Sequence, residues 1–155
     1  MERSSGILLH ISSLPGDGGI GTMGKEAFQF VDFLAQTKQK IWQILPLGPV
    51  GYGNSPYQCY SAFAGNPMFI DVQQLVNDRL ISKSSLTDQH FKAKKVEFER
   101  VEEWKLFLFR EAFIGFKKNF DRYKDEYYTF MSHNSWWLDD YALFRSLKSK
   151  NGETV

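Results

Sequence analysis

Proline and glycine divide this chain into two unlike parts. All five prolines (Pro15, Pro46, Pro49, Pro56 and Pro67) and ten of the twelve glycines lie before residue 68. A proline inside a helix removes a backbone donor and clashes with the preceding turn, so a stretch punctuated this densely cannot be a run of long helices. The first 70 residues therefore read as strands, loops and one helix. From Arg79 onward the chain carries 15 of its 19 basic residues and no proline, and it reads as mostly helix.

Apolar spacing sets the order within the first part. Gly6 to Ile11 (GILLHI) is a short apolar run between turn residues, the pattern of a buried strand. After a Gly/Pro-rich loop, Lys25 to Lys38 places Ala27, Phe30, Val31 and Leu34 at helical spacing, with lysine at its end where the helix dipole favours it. Lys40 to Leu47 (KIWQILPL) is a second strand, stopped by Pro46 and Pro49. Strand, helix, strand without polar alternation predicts a parallel βα unit buried on both faces, hence an α/β fold. In the second part, Ser85 and Asp88 have capping-box spacing. Glu102 to Phe116 aligns Trp104, Leu108 and Ala112, with Phe107 beside them. Ser135 is placed to cap a last helix carrying Leu138, Tyr141, Ala142 and Leu147 and ending near Gly152.

At 155 residues, with 43% hydrophobic and 24% charged, the chain has the composition of about one globular domain. A net charge of +1 gives no electrostatic case for nucleic acid or an anionic membrane. No apolar run approaches the roughly 18–20 residues of a membrane span, and the first residues lack the layout of a signal peptide. The single cysteine, Cys59, forms no internal disulfide and has no basic sequence neighbour to activate it. The cytoplasm is the expected compartment. Aromatic residues make up 16% of the chain, so some beyond the core have flat faces to offer a ligand.

Gly19-Ile-Gly21-Thr-Met-Gly24 matches the dinucleotide-binding pattern between a strand and a helix. Two details oppose that reading. The loop from Ile11 to Gly19 is too long for the tight turn the first glycine serves, and no Asp or Glu lies between Phe33 and Ile70 to hold a ribose. The second motif runs from Leu45 to Tyr57 (LPLGPVGYGNSPY), beyond the second strand, at the end where parallel α/β folds bind ligands. There Tyr52 and Tyr57 stand among glycines and proline, either packed on neighbouring loops or open to stack on a sugar ring. Ser61-Ala-Phe-Ala-Gly-Asn-Pro67 and the following Met68-Phe-Ile-Asp71 read as structural turns. His10 reads as a hydrogen-bonded core residue, and His90 and His133 as residues of helical surroundings; no spacing suggests a metal site. Asp139-Asp140 suits helix-start charge better than catalysis, and Lys92-Ala93-Lys94-Lys95 a solvated helix face.

Taken together, Arg3-x-Ser5-Gly-Ile-Leu-Leu-His10, Ser13-Leu-Pro-Gly16, Gly19-Ile-Gly21, Trp42-Gln43-x-Leu-Pro-Leu-Gly-Pro49, Gly51-Tyr-Gly53, Ser55-Pro-Tyr57 and Ser61-Ala-Phe-Ala-Gly-Asn-Pro67 resemble the N-terminal signature of 4-α-glucanotransferases of the amylomaltase family. Trp137-Leu-Asp-Asp-Tyr-Ala-Leu-Phe144 is similar to a later helix of that family. The resemblance implies the N-terminal part of a (β/α)8 TIM barrel with helical insertions. Residues 1–71 would hold the first βα units and the substrate loop, and residues 72–155 a mainly helical insertion. It implies binding of α-1,4-glucans and malto-oligosaccharides, without metal or organic cofactor, and a retaining mechanism with two carboxyl groups. Tyr57 matches the tyrosine that stacks on the glucose at the cleavage point, Ser55 a neighbouring contact, and Tyr52 a more remote glucan surface. Where the family has a Val-Asp-Tyr-like segment, this chain has Val96-Glu97-Phe98 and lacks the hydroxyl. The catalytic carboxylates of the family lie downstream of the matched motifs. A barrel of this kind needs about 250 residues, so the alternative for the chain by itself is a non-catalytic fragment or glucan-binding module.

Overall fold

The computed structural model describes residues 3–86, 89–92 and 94–152. Strands β1 (Gly6–Leu8) and β2 (Ile41–Gln43) pair in parallel, in the register Gly6 with Ile41, Ile7 with Trp42 and Leu8 with Gln43. Helix α1 (Lys25–Gln36) crosses between them, as the βα pattern predicts. Both strands are shorter than their apolar runs. At Ile11 the backbone tightens into a 3-10 turn (Ile11–Ser13), and beyond Gln43 the approach to Pro46 ends the pairing. Burial on both faces does not hold among the described residues. Trp42 is half-buried, with its ring edge-on to Phe30 at 4.9 Å and its Nε1 donating to Leu9 O at 2.7 Å. Successive strand residues point to opposite faces, so Leu8 and Ile41 are left 58% and 51% exposed. Val31 of α1 is exposed as well: of the apolar residues on that helix, Ala27, Phe30 and Leu34 are the ones buried or half-buried.

The glycine motif serves this packing. A β-carbon on Gly19, whose φ is +74°, would lie 2.5 Å from the Phe91 ring and 2.7 Å from Val101 Cγ2. One on Gly21 would run into the carbonyl oxygen of Ile11, and one on Gly24 into the Asp71 carboxylate. Each glycine marks a place where two segments meet without room for a side chain. The first core cluster forms around these contacts from Ile11, Leu14, Ile20, Ala27, Phe69 and Val101.

Asp71 joins the two parts of the chain. Its Oδ1 accepts from Gln73 N at 2.7 Å and caps α2 (Val72–Asn77), while its Oδ2 faces Gly24, the N-cap of α1. One carboxylate thus faces the positive ends of two helices. A second cluster, Val72, Ile81, Leu108 and Ala112, packs α2 on α3 (Phe98–Lys118). Gly115 lets α3 approach the Leu80 backbone, which a β-carbon would strike.

The second part departs from expectation in several places. Helix α3 begins at Phe98, so Lys92, Lys94, Lys95 and His90 lie in the irregular segment before it and not on a helix. Arg100 holds that segment by donating to His90 O at 2.9 Å. Asp88 lies outside the described residues, and Ser85 closes a 3-10 turn. Helix α4 (Phe120–Lys150) starts fifteen residues before Ser135, which sits mid-helix with its hydroxyl donating to Ser132 O at 3.3 Å. Asp139 and Asp140 are therefore mid-helix as well, and exposed. The expected stop holds: Gly152 follows α4 with φ +69°, the left-handed conformation of a C′ glycine. Phe107 is 55% exposed, because the buried stripe of α3 is Val101, Lys105, Leu108 and Ala112.

Lys105 is fully buried on that stripe, and its Nζ donates to Met68 O at 2.6 Å and Ile70 O at 2.8 Å. Desolvation lowers its pKa from 10.5 to about 8, with the Asp71 charge opposing the shift. The unfolded chain therefore holds this proton up to a higher pH than the native one. Below pH 8 the native state carries the cost of a buried charge. As pH rises from about 8 toward 10.5 that cost is relieved, by an amount on the order of 3 kcal/mol. Denaturant titrations of wild type and Lys105→Met across this window should show the difference moving in favour of wild type as pH increases. A constant difference would mean that Lys105 titrates normally in the fold.

Candidate functional site

The loop after β2 is an ordered hairpin. Gly51 N donates to Gln58 O at 2.9 Å, Tyr60 N donates to Pro49 O at 2.9 Å, and Val50 and Cys59 form an antiparallel bridge. The tip spans residues 52–57. It opens with a 3-10 turn, Tyr52–Asn54, in which Gly53 and Asn54 both take positive φ, 77° and 54°. Gln58 N then donates to Ser55 O at 3.0 Å, and Tyr57 N to Ser55 Oγ at 3.4 Å. The structure therefore brings Tyr52, Ser55 and Tyr57 to one tip, where the Tyr57 side chain is 73% exposed. Of Tyr52 only the backbone is described. Cys59 is spent on the hairpin itself, its Sγ donating to Pro56 O at 3.0 Å.

The base of the hairpin is anchored on both sides. Gly48 lies so near Ser61 O and Cys59 that a β-carbon would come within 2.5 Å and 2.8 Å of them. Tyr60 packs on Phe144 at 5.8 Å, with Arg145 and Lys148 over its ring at 5.6 Å and 5.2 Å. Phe63, in the turn closed by Ser61 Oγ, meets Trp136 edge-on at 4.5 Å and Trp137 at 6.2 Å. The C-terminal half of α4 thus meets the chain through Trp136, Trp137, Phe144, Arg145 and Lys148; of the expected residues Leu138 and Tyr141 are half-buried, whereas Ala142 and Leu147 are exposed. Burial raises the Tyr141 phenol pKa, which keeps it neutral and able to donate.

Other sequence candidates fall elsewhere. Phe98 opens α3 and is 38% exposed. His10 lies just past β1, packed edge-on to Phe69 at 5.3 Å; its Nδ1 is sealed from solvent with no partner, so it is not the hydrogen-bonded core residue expected. Glu97 is paired with Lys92 and Arg100 at 3.5 Å each, and the Lys92 amide above all holds its carboxyl below the usual range. Among the described residues no group of three or more His, Cys, Asp or Glu could hold a metal ion. Lys105 escaped sequence reasoning, although it falls on the Val101, Leu108, Ala112 stripe at spacings that belong to the core.

Comparison with known proteins gives these features a context. A family profile described as 4-alpha-glucanotransferase, glycoside hydrolase family 77, matches residues 9–155. A 4-alpha-glucanotransferase from Thermus thermophilus is 43% identical over 153 residues, covering 98% of this chain and 30% of the relative. One from Synechocystis sp. is 45% identical over 150 residues, covering 95% and 30%. The structure of the amylomaltase from Streptococcus agalactiae in complex with acarbose matches with a TM-score of 0.92 at 39% identity, over 99% of this chain and 31% of that one. The chain spans about 30% of the length of the relatives it matches. With the profile covering nearly every residue and the fold superposing on part of a solved relative, this chain belongs to the 4-alpha-glucanotransferase family.

Proposed function

We propose that this chain is the N-terminal part of a 4-α-glucanotransferase built on an eightfold βα barrel, and that its hairpin tip binds the glucan. The observation that carries this reading is Tyr57, 73% exposed at the tip of a hairpin whose base is fixed on α4. A largely exposed ring on an ordered loop, beyond the C-terminal end of a parallel strand, is where a sugar can stack. Ser55 is a second contact at the tip and Tyr52 belongs to a more remote glucan surface. That a relative was solved with acarbose bound supports an oligosaccharide as the ligand class.

The reaction is transfer of an α-1,4-glucan segment to the 4-hydroxyl of an acceptor, with retention. Retention calls for a carboxylate nucleophile and a second carboxyl group acting first as acid and then as base. No Asp or Glu lies between Asp32 and Asp71, so the loop beyond β2 supplies no carboxylate. The family resemblance sets the catalytic pair downstream of the matched motifs, and on that reading the chain contributes binding surface. The full-length product incubated with maltotriose should release glucose and longer oligosaccharides, and failure to do so would overturn the reading. The 155-residue chain alone should give no such ladder; robust products from it would place the chemistry in this segment.

A further inference from the structure

We propose that His10 binds the glucan, donating a hydrogen bond from Nε2 to a sugar hydroxyl at the mouth formed by the ends of β1 and β2. The assignment rests on the glucanotransferase reading for its ligand, and on this chain's own geometry for the residue. His10 lies two residues past β1, and Leu9 N still donates to Gln43 O at 3.0 Å, so the ring stands at the same strand end from which the Tyr57 hairpin departs. Ligands of parallel α/β folds bind at that end. The ring is fixed: it meets Phe69 edge-on, 80° between planes. Phe69 is itself held by Met23 N, which donates to its carbonyl at 2.8 Å.

The two ring nitrogens are not equivalent. Nδ1 is sealed from solvent without a partner, although the residue as a whole is only half-buried. A buried N–H without an acceptor is among the rarest defects in native proteins, and a bare lone pair is tolerated more readily. The proton of the neutral ring therefore sits on Nε2, where water or a ligand oxygen can accept it. Burial also lowers the pKa of His10, so the ring is neutral around pH 7 and brings a single directed donor to the mouth. A neutral donor suits an uncharged polyol, which offers hydroxyl oxygens and no charge to pair.

The test is acarbose titration of the full-length product, with wild type, His10→Phe, His10→Gln and Tyr57→Ala compared by calorimetry. His10→Phe should weaken binding about three- to tenfold, the worth of one hydrogen bond. His10→Gln, whose amide N–H reaches a similar position, should recover most of that loss. Nitrogen NMR of wild-type His10 should place the proton on Nε2 and show that resonance moving as acarbose saturates, a readout independent of whether either variant folds. Wild-type affinity in a folded His10→Phe, or an imidazole signal unmoved at saturation, overturns the assignment while a weakened Tyr57→Ala leaves the glucan reading standing. A wild-type protein that binds no acarbose overturns both.

Discussion

Tyr57→Ala in the full-length product is expected to lower kcat/KM on maltotriose by about 2–4 kcal/mol, the loss associated with one well-placed active-site contact. If the ring faces the sugar undergoing cleavage, stacking and the phenol hydroxyl help hold a distorted, oxocarbenium-like pyranose. Contacts stronger in the transition state than in the ground state show in kcat as well as in affinity. Tyr57→Phe should fall between, because it keeps the ring and removes the hydroxyl. With 73% of its surface exposed, Tyr57 carries little of the fold, and the variants should melt close to wild type. Tyr52→Ala should leave maltotriose kinetics nearly untouched and weaken effects seen only with long glucans. Steady-state transfer kinetics with melting curves decide it. Near wild-type kcat in Tyr57→Ala, together with its loss in Tyr52→Ala, would mean that the two tyrosines have exchanged roles.

Gly21→Ala should be the most damaging small substitution in the glycine motif, lowering the unfolding free energy by about 3 kcal/mol. Its new β-carbon would meet the Ile11 carbonyl oxygen and lie 2.8 Å from Leu14 N and 2.9 Å from Leu14 Cβ. Ile11 is 1% exposed and Leu14 5% exposed, so neither has room to retreat, and the obstacle is backbone rather than a mobile side-chain end. Gly65→Ala is the control: nothing lies within 4 Å of its added carbon, and its stability should change by no more than about 0.5 kcal/mol. Chemical denaturation of the two variants against wild type measures the difference. Equal midpoints would mean that close packing against Ile11 is not what requires glycine at position 21. The same geometry accounts for the motif without a nucleotide, since Gly19 and Gly24 also mark contacts inside the protein.

Sequence alone determined the parts of this protein that depend on local chemistry and periodicity. Proline and glycine placed the loops, the apolar runs at Gly6 and Lys40 announced a parallel strand–helix–strand unit, and the left-handed Gly152 ended the last helix where its neighbours required. The motifs from Arg3 to Pro67 are specific enough to indicate the family whose profile covers residues 9–155. They also put Ser55 and Tyr57 in one loop. Tertiary structure decided whatever depends on which segments meet. The hairpin that presents Tyr57 is set by pairing of Val50 with Cys59 and by seating of Tyr60 on α4, contacts between residues that carry no mutual signal in sequence. Lys105 counts as solvated by type, and only the carbonyl groups of Met68 and Ile70 make its burial possible. The reach of α4 back to Phe120 was hidden because a helix with aromatics on several faces has no single apolar stripe to mark its start. His10 reads as core from its apolar neighbours, yet a half-buried ring with Nδ1 sealed and unpartnered is a property of the packing around Phe69. Side-chain type and spacing state which groups prefer to be buried, and only the assembled contacts state which of them are.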